Sequence, residues 1–247
     1  EATVSPATLT FTSGNWNSTQ TVTVTGVNDN LVDGTQTSTL TLSVVDGSSD
    51  NNFDPVNDQT VSATTTDNDT AGFTVVQSGG STSVAESGST DTFTVVLDAQ
   101  PTSNVVISVT SGDTGEATVS PATLTFTSGN WNSAQTVTVT GINDDLVDGT
   151  QTSTITMSVV DASSDNNFDS LNDQTVSVTT ADTDVAGFTK IESGGSTTVA
   201  ESGTTDTFTV VLDAQPASNV VISVTSGDTG EATVSPATLT FTSGNWN

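Results

Sequence analysis

The 247-residue sequence has no cysteine and no histidine, and Lys190 is its one basic residue. Without cysteine the chain forms neither a disulfide framework nor a thiolate metal site. The absence of histidine removes the commonest general base and the usual transition-metal ligand. Against one lysine stand 29 acidic residues, which give a net charge of −28. Because such a surface repels nucleic acid and anionic membranes, we expect neither nucleic-acid binding nor membrane insertion.

Catalytic motifs are missing as well. The sequence contains no GxSxG motif and no glycine-rich phosphate loop followed by a helix. A pair of carboxylates could hydrolyse a glycoside, but the acidic residues lie in polar loops without an aromatic-lined cleft. No apolar run approaches the roughly 18–20 residues of a membrane span. The sequence therefore predicts a protein that is not an enzyme.

A long segment recurs with a period of 115 residues. The sequence EATVSPATLTFTSGNWN occupies residues 1–17, 116–132 and 231–247. A period of this length is the size of one small domain, so each repeat should carry its own hydrophobic core. The near-identity of the copies predicts a tandem array of similar modules.

The repeat divides the chain into one whole module and two parts. We place a complete module at residues 70–184, the C-terminal half of a module at 1–69, and the N-terminal half of another at 185–247. A half sandwich leaves a bare core and unpaired strand edges, so neither half should fold alone. Three explanations stay open: a window cut from a longer array, an engineered fragment, or halves completed between adjacent chains. We favour the window, in a repeating filament.

Strands are predicted by the alternation of threonine with valine over six to eight residues, bounded by glycine, asparagine and aspartate. Nothing repeats at helical spacing. Seven short strands in about a hundred residues are typical of an immunoglobulin-like β-sandwich, with Phe73, Phe93 and Phe126 in the core and Trp131 closing one end. The predicted strands are residues 72–78 with 82–86 (one split strand), 91–98, 104–110, 122–128, 135–142, 152–160 and 173–180.

Acidic residues concentrate in the connections that an up-and-down path through seven strands brings to one pole. Carboxylates 4–6 Å apart repel by about 1 kcal/mol or more, and the chain has almost no cations of its own. A hard cation with 6–8 oxygen ligands removes that repulsion, and calcium tolerates irregular geometry better than magnesium. Aspartate is also common in turns and on soluble surfaces, which accounts for Asp161, Asp165 and Asp169. The seven clustered carboxylates are Glu86, Asp113, Asp144, Asp145, Asp148, Asp182 and Asp184.

The whole repeat resembles the Calx-β modules of calcium exchangers and of long bacterial surface proteins. No single motif is diagnostic, but their order and spacing agree throughout. The array also resembles cadherin-like adhesins. The matching motifs are VAESG at 84–88, FTVVL at 93–97, TLTF at 123–126, NDD at 143–145 with Asp148, and DTD at 182–184.

This resemblance implies a Calx-β-type sandwich that binds Ca²⁺ through the same seven carboxylates. Asp148 stands where the family usually has glutamate, so its shorter arm reaches less far, and Asn28 and Asn30 replace two acids in the first half module. The half modules carry the corresponding candidates Asp29, Asp33, Asp67 and Asp69 in one, and Glu201 and Asp228 in the other.

Two functions follow from these expectations. The first is a structural spacer of a long extracellular adhesin or cell-surface filament, with calcium stiffening each joint between neighbouring repeats. The alternative is an adhesive module that binds cell-surface glycans or proteins through avidity. A further possibility is polymerisation between molecules, because the two half modules complement each other.

Overall fold

The computed structural model describes residues 1–247 and is all-β. Its only helices are four three-residue 3₁₀ turns, at Asp46–Ser48, Ser78–Gly80, Asp161–Ser163 and Ser193–Gly195. The chain has no helix that could span a membrane.

Residues 1–69 contain two separate antiparallel strand pairs. Strand β1 pairs with β2, and β3 pairs with β4. The strands are β1 (Ala2–Ser5), β2 (Thr23–Gly26), β3 (Gln36–Leu42) and β4 (Gln59–Thr65).

A closed β-sandwich lies between residues 73 and 181. Its nine strands form a five-stranded sheet in the order β10-β8-β13-β14-β6 and a four-stranded sheet in the order β5-β7-β11-β9, while a short tenth strand, β12, pairs outside it. The strands are β5 (Phe73–Gln77), β6 (Thr82–Ala85), β7 (Thr90–Leu97), β8 (Val105–Ser111), β9 (Ala117–Ser120), β10 (Thr123–Phe126), β11 (Gln135–Gly141), β12 (Leu146–Val147), β13 (Gln151–Val159) and β14 (Gln174–Ala181).

The sandwich has nine strands where the sequence predicts seven. The split first strand contributes two of them, because β5 and β6 belong to different sheets. The chain changes sheets at Gly79 and Gly80, whose φ angles of 64° and 85° suit glycine. The remaining addition is β9, which the sequence analysis did not predict. All eight predicted strand runs are strands, with ends that agree within two residues.

Residues 185–247 again form isolated pairs rather than a closed sandwich. Strand β15 pairs with β16, β18 pairs with β19, and β17 pairs in parallel with β12. The strands are β15 (Phe188–Glu192), β16 (Phe208–Leu212), β17 (Gln215–Pro216), β18 (Val220–Ser223) and β19 (Thr238–Phe241).

The hydrophobic core occupies the space between the two sheets. The predicted core residues Phe73, Phe93 and Phe126 are all buried, and Trp131 packs partly buried against the same cluster. Phe168, from the long connection between β13 and β14, is fully buried there as well. Val32 joins this core from outside the closed sandwich. Aromatic anchors and alternating aliphatic side chains therefore stabilise a single core.

Candidate metal centre

Strand pairing brings four acidic segments to one end of the closed sandwich, which we call the acidic pole. Strands β6 and β14 run parallel with Ala85 opposite Ala181, so the residues that follow them, Glu86 and Asp182, lie side by side. Strand β11 ends beside the start of β9, with Gly141 opposite Ala117. The loop after β11 therefore lies next to Glu116. This topology places residues 86, 116, 144–148 and 182–184 together.

Three carboxylates form the centre of the acidic pole. Oxygen atoms of Glu86, Asp144 and Asp184 all lie within 4.8 Å of one another. Glu86 is only 1% exposed. Its Oε2 accepts a 3.1 Å hydrogen bond from the Thr183 amide, whereas its Oε1 has no partner. Burial, followed by the nearby charges of Asp182, Asp144 and Asp184, raises the pKa of Glu86.

Asp182 holds the acidic loops in place. It accepts backbone hydrogen bonds from Gly149 at 2.7 Å, Asp148 at 3.2 Å and Asp184 at 2.7 Å. The bonds from the Gly149 and Asp184 amides are the largest causes that lower the pKa of Asp182. By contrast, burial and the charges of Asp182, Asp145 and Asp144 raise the pKa of Asp184. The ionised Asp182 carboxylate thus holds two segments in place: Asp148–Gly149 and the residues up to Asp184.

Glu116 is a member of the acidic pole that the sequence analysis missed. Its Oε2 is buried without a hydrogen-bond partner. Burial, and then the charges of Asp148, Asp144, Glu86 and Asp113, raise its pKa. The short run ATVS at residues 117–120 could have revealed this position. If that run is recognised as a strand, Glu116, the residue before it, falls at the acidic pole.

Asp148 is a further close member of the acidic pole, and two predicted residues lie at its edge. The Oδ1 of Asp148 is buried without a partner. Asp113 is exposed, and its Oδ1 accepts a 3.0 Å bond from the Gly115 amide in its own turn. Asp145 is also exposed. Their charges nonetheless act on Glu116 and Asp184 respectively.

The half modules carry incomplete versions of the acidic pole. In the first, Asp67 accepts bonds from the Asp33, Gly34 and Asp69 amides at 3.0, 2.8 and 2.7 Å. Burial and the charges of Asp67, Asp29 and Asp33 raise the pKa of Asp69. In the other half, Glu201 and Asp228 are exposed. Neither half forms a cluster of three converging carboxylates.

The donor set of the acidic pole fits a calcium ion. Two oxygen ligands at about 2.4 Å from one ion lie at most about 4.8 Å apart, and the oxygens of Glu86, Asp144 and Asp184 meet that limit. Unpartnered buried oxygens of Glu86, Glu116, Asp148 and Asp184 supply acceptors that no protein group uses. Lys190, the only basic side chain, pairs with Glu192 at 2.7 Å. No cation of the protein neutralises the pole.

The loop that carries Asp144 and Asp148 also bonds to the segment that follows the sandwich. Strand β12 pairs in parallel with β17, so that Leu146 lies opposite Gln215. The Gln215 amide donates a 2.6 Å hydrogen bond to the carbonyl oxygen of Asp145. The acidic pole and the joint to the next segment are therefore built on the same loop.

The joint at the other end of the sandwich has the same construction 115 residues earlier. Leu31 forms a parallel bridge with Gln100. The Gln100 amide donates to the Asn30 carbonyl at 2.7 Å, and the Val32 amide donates to the Gln100 carbonyl at 2.9 Å. In addition, Asn167 Nδ2 donates to the Val32 carbonyl at 2.8 Å. The bonds from the Gln100 amide to Asn30 and from the Gln215 amide to Asp145 are thus equivalent at the two joints.

No known protein family matches the sequence, and no curated protein matches it. Among solved structures, domains 4 and 5 of the S-layer protein SbsC share 26% identity at a TM-score of 0.30, and the match spans about half of each chain (50% of this one and 52% of that one). The MSP-like protein SSP-19 of Caenorhabditis elegans shares 14% identity at a TM-score of 0.30, with 44% of this chain and 98% of that chain covered. The E. coli chaperone DraB shares 10% identity at 0.35, with 62% and 88% covered. TM-scores this low do not establish a common fold.

Proposed function

We propose that the chain is a structural spacer of an extracellular surface protein or filament, in which calcium at the acidic pole stiffens the joint between successive modules. The observation that carries the proposal is the cluster of buried carboxylate oxygens without partners at Glu86, Glu116, Asp148 and Asp184. Burying a charged group costs free energy unless the group is paired with an opposite charge or coordinates a metal. A cation that takes several oxygen ligands would coordinate these carboxylates and neutralise their charge.

Calcium is the cation that suits this donor set. All candidate ligands are oxygens, and hard divalent cations prefer oxygen. Three carboxylates converge, and Glu116 and Asp148 add buried oxygens without partners at the same pole. A calcium shell of 6–8 ligands accommodates such an irregular set better than the near-octahedral shell of magnesium. Extracellular modules bind calcium at about 10⁻⁴–10⁻³ M, so millimolar calcium would fill the site. When bound, the ion neutralises the repulsion among the carboxylates.

The residues of the chain convert this neutralisation into stiffness. Asp182 holds the Asp148–Gly149 segment through backbone bonds. The same loop extends through β12 to the Gln215 amide. If the carboxylates repel one another, the loop loosens, and its pairing with β17 weakens. With the charge neutralised, the loop and the following segment are fixed together.

The repeated joint supports a spacer rather than a recognition module. Equivalent bonds at Leu31–Gln100 and at Leu146–Gln215 give successive modules the same relative placement. The hydrogen bonds that the two joints share are between main-chain groups, so they depend little on variation of side chains between repeats. An array of such joints would hold a constant spacing along its length.

A distance measurement across the joint tests this function. Spin labels on Thr136→Cys and Thr240→Cys, both at exposed positions, can be placed without interference because the chain has no native cysteine. Labelled protein is diluted with unlabelled chain so that only distances within one molecule contribute. We expect a narrow distance distribution in calcium and a broad one in a chelator. Equal widths in both conditions would contradict the proposal.

A further inference from the structure

The two half modules expose apolar side chains whose equivalents in the closed sandwich are buried. Phe188 is 59% exposed and Phe208 39% exposed, whereas their counterparts Phe73 and Phe93 are 4% and 0% exposed. Leu42, at 45%, corresponds to the fully buried Met157. Each half therefore presents the inner face of an unfinished sandwich, and contiguous exposed apolar side chains mark interaction surfaces.

Open grooves mark both of these faces. One of about 600 Å³ lies in residues 1–69 and is lined in part by Val24, Val27 and Val61. A second of about 580 Å³ is lined mainly by residues 185–247, including Phe188 and Leu212, and by Val147 of the loop after β11. In the closed sandwich, the strands equivalent to one half cover the face equivalent to the other half.

We propose that the open face of residues 185–247 in one copy binds the open face of residues 1–69 in a second copy, which completes a sandwich built like residues 70–184. The occupant is specified by the closed sandwich itself. There, β7 pairs with β11, β8 with β13, and β6 with β14. Each pair joins one strand from the N-terminal half of the module to one from the C-terminal half.

The register between the copies follows from the same pairs. In the closed sandwich, Thr94 lies opposite Thr136. The residues 115 positions away are Thr209 in the C-terminal segment and Thr21 in the N-terminal segment. Thr209 of one copy therefore lies opposite Thr21 of the next.

The 17-residue sequence present in both halves creates no conflict in such a sandwich. In residues 1–69 its first part forms β1, which pairs with β2 as β9 pairs with β11. In residues 185–247 its later part forms β19, which pairs with β18 as β10 pairs with β8. Each half thus uses a different part of the duplicated sequence. The unused remainder includes Phe11 and Trp16, which are 53% and 70% exposed.

One copy cannot close on itself, because its halves lie at opposite ends of the closed sandwich. The antiparallel register puts Thr140, near the end of β11, opposite Thr90 at the start of β7. The joint at Leu146 follows the end of β11, whereas the joint at Gln100 follows the far end of β7. The eight residues of β7 separate these ends by roughly 25 Å. A head-to-tail contact of this kind propagates from copy to copy, into an open chain or a ring of several copies. In a longer array, the same contacts would form within one polypeptide.

Completion in trans would also assemble a second acidic pole. Glu201 of one copy takes the place of Glu86, while Asp29 and Asp69 of the next take the places of Asp144 and Asp184. This consequence rests on the proposed calcium function, but the docking of the apolar faces does not. Assembly measured in a chelator therefore tests the docking of the apolar faces alone. Any further increase in assembly on adding calcium tests the docking and the calcium site together.

Disulfide trapping tests the proposed contact. In the Thr21→Cys/Thr209→Cys variant of the full chain, the paired Cα atoms would lie about 4.5–5.5 Å apart, within reach of a disulfide. Mild oxidation in chelator and moderate salt should give a ladder of trimers and longer species on a non-reducing gel, whereas Thr209→Cys alone should stop at dimers. Sedimentation of the unmodified chain should show a mass that rises with concentration above 24.9 kDa. A monomer at every concentration and no ladder would overturn the proposal.

Matched variants distinguish the proposed contact from non-specific hydrophobic association. Phe208→Asp in the double-cysteine background should abolish the ladder, because its counterpart Phe93 is fully buried. Phe11→Asp adds the same charge in the unused copy of the duplicated sequence, and the ladder should persist. A ladder that survives Phe208→Asp, or one lost equally in both variants, would overturn the proposed arrangement.

Discussion

The amide of Gln215 donates a 2.6 Å hydrogen bond to the carbonyl oxygen of Asp145. This bond joins the loop of the candidate calcium ligands to strand β17, which follows β16 in the next module. Any change in the loop is therefore transmitted directly to the joint. The proposed calcium-dependent stiffness of the joint depends on this bond and on its counterpart between Gln100 and Asn30.

Replacing Gln215 by proline removes the amide donor and leaves the carbonyl of Asp145 without this partner. We expect Gln215→Pro to broaden the Thr136–Thr240 distance distribution even in saturating calcium. Gln215→Ala is the control, since it removes the same side chain, including its 2.9 Å bond to the Ser243 carbonyl, but keeps the amide. Equal broadening by both variants would assign the stiffness to the side chain instead.

Glu116→Gln should have opposite effects with and without calcium. In a chelator, removing one buried charge from the acidic pole relieves repulsion and should raise the free energy of unfolding by about 1 kcal/mol. In calcium, the lost ligand charge should reduce the stabilisation that the ion provides. Thermal melting followed by circular dichroism measures both effects.

The control for that experiment is Glu231→Gln, the same residue one repeat later. Glu231 is exposed and lies outside any carboxylate cluster, so its replacement should leave both melting temperatures unchanged. If Glu116→Gln behaves like Glu231→Gln, Glu116 is not part of the calcium site.

Asp165 should contribute a pH-dependent part of the stability. Although burial alone raises its pKa, hydrogen bonds from the Thr102 hydroxyl and from the Asn167, Ser103 and Thr102 amides together lower it below the ordinary 3.8. A lowered pKa means that the stabilisation is present above pH 3.8 and is lost as the pH falls through the lower value in the folded state. Asp165→Asn should cost about 2 kcal/mol at neutral pH.

The cost of Asp165→Asn should shrink as the pH falls below 3.8, because the wild-type carboxylate is then protonated as well. Denaturant unfolding at several pH values measures this difference. Asp50→Asn, at the exposed equivalent position in the first half module, should have no effect at any pH at concentrations where the chain is a monomer. A cost of Asp165→Asn that stays constant with pH would show that shape rather than charge is responsible.

The strands were predictable because their signal is local. Thr/Val alternation fixes which side chains point inward, and Phe73, Phe93 and Phe126 are buried as expected. Strand β9 was missed because the run ATVS is only four residues long and is followed by proline. Phe168 lies in a loop without any alternation, so its burial depends on tertiary packing that no local pattern encodes.

The acidic pole was partly predictable for a different reason. Connectivity alone brought Glu86, Asp144 and Asp184 to one end, and their oxygens converge within 4.8 Å. Connectivity could not tell that Asp113 accepts a bond within its own turn, which is a local contact. It also could not place Glu116 at this pole, because that position depends on the pairing of β9 with β11. Likewise, the pairing of β12 with β17 joins two modules and has no signal within either one.

The most direct test of the calcium site is the melting temperature of the chain in calcium, in magnesium at equal ionic strength, and in a chelator. A ligand at about 100 times its dissociation constant stabilises the folded state by about 2.7 kcal/mol, which for a unit of this size shifts the melting temperature by on the order of 10 °C. We predict such a rise in calcium, a much smaller one in magnesium, and a reduced rise in Glu116→Gln. Identical melting temperatures in calcium and in chelator would contradict the account.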